Sequence, residues 1–117
     1  MLLIVLHNMR DYIYIISNDK GYIKVGVSNN PKRRVKQLQT GNADKLTLIF
    51  TEEFECDRHH LLNIEKAIHK KLKQMAEHCE GEWFYVDKIK MDSIKNTLTF
   101  YRIRYEDDLN AFDKQYH

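Results

Sequence analysis

The 117-residue chain has little of what marks loop-rich, disulfide-stabilised or membrane-spanning proteins. One proline and four glycines exclude a collagen-like, low-complexity or linker-rich chain. Cys56 and Cys79 are too few for a disulfide scaffold, and in a cytosolic chain we expect both thiols to be reduced. The apolar run of residues 1–6 is too short for a membrane span and lacks the features of a signal peptide. We therefore expect a single-domain cytoplasmic protein that contacts no membrane and buries an ordinary core.

The small net charge of +2 hides an uneven distribution along the chain. Residues 19–45 contain seven basic and two acidic side chains, whereas residues 52–57 contain four acidic side chains and no basic one. The C-terminal residues 106–114 are also mainly acidic. A basic segment beside a neutral or acidic remainder is typical of a face that binds a polyanion, and equally of a solvated helix surface.

Two β-branched and aromatic runs, residues 12–16 and 22–28, flank a polar Ser-Asn-Asp-Lys-Gly segment. This pattern predicts a β-hairpin. A turn centred on Asp19 would place Tyr14 opposite Lys24 in the hairpin. Because side chains alternate along a strand, one face would then be polar and the other would be a core face. The polar face would carry Tyr12, Tyr14, Tyr22 and Lys24, and the core face Ile13, Ile15, Ile23, Val25 and Val27.

Gly26 lies two residues after Lys24 on the same predicted face, where it would leave open space above the sheet. A phenol and an amine beside such a space form an unusual surface if stability is the only requirement. The hairpin is therefore a candidate floor of an active site.

The rest of the chain predicts three helices, a third strand and a short apolar segment. Asn30 and Pro31 are typical of a helix start, and Asp87 can cap the last helix. The predicted elements are a helix over residues 32–39, a strand over 46–54, a helix over about 57–75, an apolar segment over 83–86 and a final helix from 87. The apolar residues of the final helix, which form either core or a dimer surface, are Ile89, Ile94, Leu98, Tyr101 and Tyr105.

Several short motifs, in order and with suitable spacing over residues 11–86, resemble the GIY-YIG nuclease superfamily, in a compact branch common in phages and large DNA viruses. They are Tyr12-Ile13-Tyr14, Lys24-Val25-Gly26, Ser28 to Arg34, Gln37 to Asn42, Ile64 to His69 and Gly81-Glu82-Trp83-Phe84. The resemblance implies an α+β single domain with a small three-stranded antiparallel sheet flanked by helices. Residues 1–10 would then be an N-terminal extension, and residues 87–117 a C-terminal helical extension packed on the core. The cell would be a bacterium or a virus-infected host.

The resemblance also implies hydrolysis of DNA phosphodiester bonds with one divalent cation, Mg²⁺ or Mn²⁺. Glu65 matches the metal-binding glutamate, and a hard carboxylate oxygen suits either ion. Arg34 matches an arginine whose planar guanidinium suits a phosphate. Tyr14 matches a signature tyrosine that would orient or deprotonate the attacking water. Lys24 stands where most members have a second tyrosine, so either residue is a candidate base. His69, four residues after Glu65 on one helix face, would be a metal contact, a proton shuttle or a partner of Glu65, or have no role.

Four further basic residues are expected to contact phosphates without reading sequence: Lys20, Lys32, Arg33 and Lys36. The chain has no room for a large specificity domain, so we expect little intrinsic sequence preference. A homodimer, a partner protein or DNA structure would supply specificity, and RNA is a second possible substrate.

Lys24 departs from the family pattern, and Glu82 and Trp83 stand where the superfamily often has an asparagine. These departures motivate one alternative, a catalytically inactive nucleic-acid-binding module. A host-interaction protein on the same fold is a further alternative.

Overall fold

The computed structural model describes residues 10–55 and 57–116, and side chains as far as Arg104. The predicted extension before Arg10 and the side chain of Tyr105 lie outside the described residues. The described elements are β1 (Asp11–Asn18), β2 (Tyr22–Ser28), α1 (Pro31–Thr40), β3 (Leu46–Phe54), α2 (Arg58–Met75), β4 (His78–Glu80), β5 (Trp83–Tyr85) and α3 (Lys88–Tyr116). Within this part of the chain, none of the helices combines the length and the apolar character that crossing a membrane requires.

All five strands form one antiparallel sheet in the order β3-β1-β2-β5-β4, which confirms the α+β single domain. The sheet has two strands more than the three predicted. The apolar segment 83–86 supplies β5, which pairs with β4 around a turn containing Gly81. Gly81 has a φ of +60°, a backbone conformation that favours glycine. β4 escaped prediction because it is only three residues long and exposed, so it has no apolar alternation.

The β1–β2 hairpin is confirmed, but the predicted pairing of Tyr14 with Lys24 is wrong by two residues. Tyr14 lies opposite Gly26, and Ile16 lies opposite Lys24. The turn is displaced towards Gly21, which adopts a φ of +87°, while the Asn18 side chain accepts hydrogen bonds from two backbone amides within the turn. Because a shift of two residues preserves the side-chain alternation, the two predicted faces are retained.

The two faces of the sheet carry separate apolar clusters. The larger cluster packs the core face against α2 and α3, and the smaller one packs the other face against α1. The buried members of the larger cluster are Ile13, Ile15, Ile23, Val25, Phe54, Leu61, Ile64, Ile68, Leu72, Phe84, Val86, Ile94 and Leu98. Those of the smaller cluster are Tyr14, Ile16 and Leu46, with Val35, Leu38, Leu48 and Trp83 packed against them.

An irregularity in the β1–β3 pairing distributes β3 between these clusters. Ile15 pairs with Phe50, whereas the next residue, Ile16, pairs with Leu48. The extra residue on β3 reverses the alternation, so Leu48 packs with the α1 cluster and Phe50 with the α2–α3 cluster. The predicted strand is confirmed, but its regular alternation does not continue through the bulge.

The predicted helix starts are confirmed by side-chain caps. The Asn30 carboxamide oxygen accepts a hydrogen bond from a backbone amide three residues on, at 3.1 Å. Asp87 caps α3 in the same manner, at 2.8 Å, and Asp57 caps α2 by accepting from the backbone amide two residues on, at 2.9 Å. In α3, Ile94 and Leu98 are fully buried, so these two residues belong to the core, whereas Ile89 is 81% exposed.

Candidate functional site

A polar cleft lies at the outer edge of β2, where the pairing with β5 ends. β5 pairs with β2 only through Tyr22 and Ile23, so no described strand covers the edge from Lys24 onward. The cleft has a volume of about 440 Å³ and lies between the start of α1 and one face of α2. Its ionisable side chains are Tyr14, Lys24, Arg34, Arg58, Glu65, His69 and Glu82. Side chains from both faces of the sheet therefore meet around one strand edge.

Tyr14 forms part of the cleft floor although the residue is only 2% exposed. Its ring crosses Gly26 so closely that a Cβ on that glycine would lie 2.9 Å or less from three Tyr14 atoms, the hydroxyl oxygen among them. The prediction that Gly26 leaves open space is therefore wrong, because the tyrosine fills that space. Among the described residues, every fully buried side-chain polar atom has a hydrogen-bond partner. Tyr14 makes no hydrogen bond within this part of the chain, so its hydroxyl oxygen is not fully buried and reaches the cleft surface.

Lys24 extends under the β4–β5 turn and is held there by a carboxylate. Its ammonium lies 2.5 Å from Oε2 of Glu82 and 6.0 Å from the ring centroid of Trp83. The lysine side chain is 13% exposed, whereas that of Glu82 is 68% exposed. The lysine is consequently the fixed partner of the pair, and Glu82 is the one that can be displaced towards solvent.

The cations that lie near Glu82 lower the pKa of its carboxyl group. The hydrogen bond and the charge of Lys24 hold the pKa of Glu82 below its ordinary value, and the charges of His69 and Arg34 lower it further. Burial raises the pKa of Glu82, by less than Lys24 lowers it but by more than either His69 or Arg34 does. Glu82 is therefore an ionised carboxylate inside a cluster of cations, in a position that a phosphate anion would also favour.

His69 is fixed by the exposed edge of β2. Its Nε2 lies 2.7 Å from the carbonyl oxygen of Val25. Because a carbonyl can only accept, Nε2 carries a proton, and in the neutral ring Nδ1 is the free acceptor. The ring also packs on Phe84, with 6.2 Å between centroids. Within the described residues no hydrogen bond joins His69 to Glu65, so one of the four alternatives given for His69, a hydrogen-bond partner of Glu65, is not observed.

Glu65 is half-buried and points a carboxylate into the cleft without a hydrogen-bond or ion-pair partner among the described residues. The described part of the chain also contains no cluster of three or more His, Cys, Asp or Glu side chains able to hold a metal. A Mg²⁺ or Mn²⁺ ion at Glu65 would therefore complete its coordination with water and substrate oxygens, which Mg²⁺ commonly does.

Arg34 lies in the first turns of α1 and is the residue of that helix that lines the cleft. Its only side-chain contact in the described structure is a long one, 3.5 Å from Nη1 to Oε1 of Gln37. The neighbouring Lys32 and Arg33 are exposed and lie outside the cleft, as does Lys36. The side chain of α1 that faces the cleft is thus a guanidinium with its donors largely unused.

The structure brings together all five predicted catalytic residues and none of the four predicted only as nucleic-acid contacts. Lys20 lies at the β1–β2 turn, where its ammonium is 3.3 Å from Asp44. The sequence reasoning missed Arg58, whose Nη1 donates to the buried Asp11 at 2.9 Å. The spacing of Arg58 from Glu65, seven residues on one helix, was the available signal. The pairing of Glu82 with Lys24 cannot be predicted from the sequence, because it depends on the β4–β5 hairpin.

Comparison with protein families supplies independent information on this fold. A model of the T5orf172 domain matches residues 11–100, which include every residue of the cleft. This domain is nuclease-related and occurs in phage and nuclease-associated proteins. No curated protein and no solved structure matches the chain.

Proposed function

Because the chain belongs to the nuclease-related T5orf172 domain family, we propose that it is a GIY-YIG-type endonuclease that hydrolyses DNA phosphodiester bonds with a divalent cation. The observation that carries the proposal is the convergence of Tyr14, Lys24, Arg34, Glu65 and His69 on one cleft. These residues come from β1, β2, α1 and α2. Together they supply a phenol, a carboxylate, an imidazole and two cations, the kinds of group that phosphodiester hydrolysis requires.

Glu65 fits the role of ligand for Mg²⁺ or Mn²⁺, because its carboxylate faces the cleft without a partner among the described side chains. When bound, the ion would lower the pKa of water and stabilise charge on the phosphoryl oxygens. The protein contributes one carboxylate and leaves the remaining positions for water and phosphate, an arrangement that Mg²⁺ accepts.

The two candidate bases differ in the structure. Lys24 is ion-paired with the Glu82 carboxylate, an arrangement that suits a cation and not a base. The Tyr14 hydroxyl reaches the cleft surface and makes no hydrogen bond within the described residues, so it can accept one from a water molecule or orient it. We therefore assign water positioning to Tyr14, which would accept the proton of that water only as a phenolate, and phosphate binding to Lys24 once a phosphate displaces the exposed Glu82 carboxylate.

Arg34 and His69 complete the site from opposite sides. The Arg34 guanidinium can donate two parallel hydrogen bonds to the phosphate and neutralise charge that develops on it. His69, with Nε2 donating to Val25, presents Nδ1 as an acceptor or, when protonated, as a donor to the leaving oxygen. Lys32, Arg33 and Lys36 would attract the DNA backbone without reading sequence, in keeping with little intrinsic specificity.

One observation favours the alternative of a non-catalytic nucleic-acid-binding module. Glu82 forms an ion pair with Lys24, the residue that departs from the family pattern. Its carboxylate is a second one in the cleft, beside that of Glu65. A binding module would hold DNA with strong salt dependence and never cut it.

A plasmid assay with neighbouring arginine variants tests the proposal. Supercoiled plasmid would be incubated in Mg²⁺, Mn²⁺ or EDTA with wild type, Arg34→Ala and Arg33→Ala. We expect metal-dependent nicking that Arg34→Ala reduces at least about 100-fold, since it removes stabilisation of transition-state charge, while Arg33→Ala changes it only a few-fold. Salt-sensitive binding without nicking would support the binding module, and equal loss in both variants would show that total charge, not the cleft, matters.

A further inference from the structure

Arg58 is a cleft residue for which the mechanism above has no role. It lies at the first position of α2, seven residues before Glu65, which corresponds to two turns and about 10 Å along the helix axis. Residues spaced by seven share a helix face, and His69, four residues after Glu65, continues the same row. All three side chains line the cleft. The α2 helix therefore presents a row of functional groups that extends beyond the reacting centre.

The contacts of Arg58 leave most of its guanidinium available. Nη1 donates to Oδ1 of Asp11 at 2.9 Å, and within the described residues this is its only partner. The Asp11 side chain is 9% exposed and that of Arg58 is 55% exposed. The buried carboxylate thus anchors one nitrogen, and the remaining donors of the planar group face solvent at the cleft.

We propose that Arg58 binds a backbone phosphate flanking the one that is cleaved, and that Asp11 positions it for this contact. The inference rests on the proposed nuclease function and extends it to the substrate path. The backbone positions of Arg58 and Glu65 lie about 10 Å apart along the helix axis, about three times the 3.4 Å rise per nucleotide of a strand, so Arg58 and a metal at Glu65 can reach different phosphates. Arg58 would therefore contribute to DNA binding and not to the chemical step.

A binding titration separates this role from a purely structural one. Replacing Arg58 alone would leave the buried Asp11 carboxylate unpaired, so the informative comparison is Asp11→Asn against the double variant Asp11→Asn with Arg58→Gln. Lys73→Gln is the matched control, since Lys73 is an exposed cation at the far end of α2 outside the cleft. Each protein would be titrated against fluorescent duplex DNA in EDTA at several salt concentrations, with circular dichroism verifying that each is folded.

We expect Arg58→Gln in the Asp11→Asn background to weaken DNA binding at least about fivefold, because one hydrogen bond to a charged group is lost. The slope of log affinity against log salt should become shallower by about one unit, corresponding to one lost phosphate contact. In the nicking assay the half-saturating DNA concentration should rise, while the rate at saturation stays within about twofold, because only uniform binding is removed. Lys73→Gln should change none of these quantities.

The outcomes distinguish this inference from the proposed function. If the double variant binds DNA with the affinity and salt slope of Asp11→Asn, while wild type binds and nicks, Arg58 serves only the fold and the inference is wrong. If saturating DNA does not restore the rate, Arg58 acts at the reacting phosphate and the flanking assignment is wrong. If wild type neither binds nor cuts DNA, both this inference and the proposed function are overturned.

Discussion

Gly26→Ala tests whether the close crossing of Tyr14 over β2 is what shapes the cleft. The added methyl group would lie 2.9 Å or less from three atoms of the Tyr14 side chain. Gly26 does not have a positive φ, so alanine fits the backbone and the whole effect must come from the clash. The tyrosine ring is packed in the smaller apolar cluster, so it cannot move without disturbing that cluster.

The magnitude follows from overpacking a filled site. Inserting one methyl group into a well-packed region costs about 1–3 kcal/mol in the free energy of unfolding. The same substitution should displace the Tyr14 hydroxyl from its place at the cleft surface, and a misplacement of about 1 Å can reduce the rate about 100-fold. In a Tyr14→Ala background the methyl group meets no clash, so the destabilisation should largely disappear.

Urea denaturation of four proteins checks this expectation: wild type, Gly26→Ala, Tyr14→Ala and the double variant. Gly41→Ala is the matched control, because a Cβ there would meet nothing within 4 Å and its φ is −103°. We expect Gly41→Ala to change the free energy of unfolding by less than about 1 kcal/mol. The reasoning would be refuted if Gly26→Ala had wild-type stability and nicked the plasmid at the full rate. It would also be refuted if Gly26→Ala lowered the free energy of unfolding by the same amount in the Tyr14→Ala background.

Of four further predictions, two concern the Lys24–Glu82 pair, one a helix cap and one the core position of α3. Glu82→Gln should tighten DNA binding several-fold in anisotropy titrations by freeing Lys24; weaker binding would contradict displacement by phosphate. Because the pKa of Glu82 is lower in the folded protein, its ion pair with Lys24 stabilises the fold at neutral pH, and this stabilisation is lost as the pH falls through that pKa. For so exposed a glutamate it amounts to under about 1 kcal/mol. The urea midpoints of wild type and Glu82→Gln should therefore converge in strong acid. Asn30→Ala should cost about 1 kcal/mol in urea denaturation by removing the α1 cap, and no change would argue against that cap. Ile94→Ala should cost about 2–5 kcal/mol, since the side chain is fully buried; a smaller cost would show that α3 packs loosely.

The sequence predicted best those features that depend on local pattern. The hairpin, the inward row of α2 and the caps Asn30 and Asp87 follow from side-chain alternation, helical spacing and turn chemistry, and each is observed. The bulge beside Ile16 could not be predicted, because it depends on how β3 meets β1 across the sheet. β4 likewise depends on contacts distant in sequence, because the strand it pairs with is β5, which in turn pairs with β2.

The candidate site shows the same division. Motif resemblance selected the five residues that share the cleft, including Tyr14 and Glu65. The pairing of Lys24 with Glu82 required the β4–β5 hairpin, which brings together residues 58 positions apart. The contact between Tyr14 and Gly26 required the correct register, and a turn centred one residue earlier gave the wrong partners.

The measurement that tests the central claim most directly is plasmid nicking by Glu65→Gln in Mg²⁺ and in Mn²⁺. Glu77→Gln is the matched control, because Glu77 is exposed and lies outside the cleft. The account predicts that wild type and Glu77→Gln nick the plasmid only with a divalent cation, and that Glu65→Gln binds DNA but does not nick it. Nicking by Glu65→Gln at the wild-type rate would contradict the assignment of the cleft as the metal-dependent catalytic site.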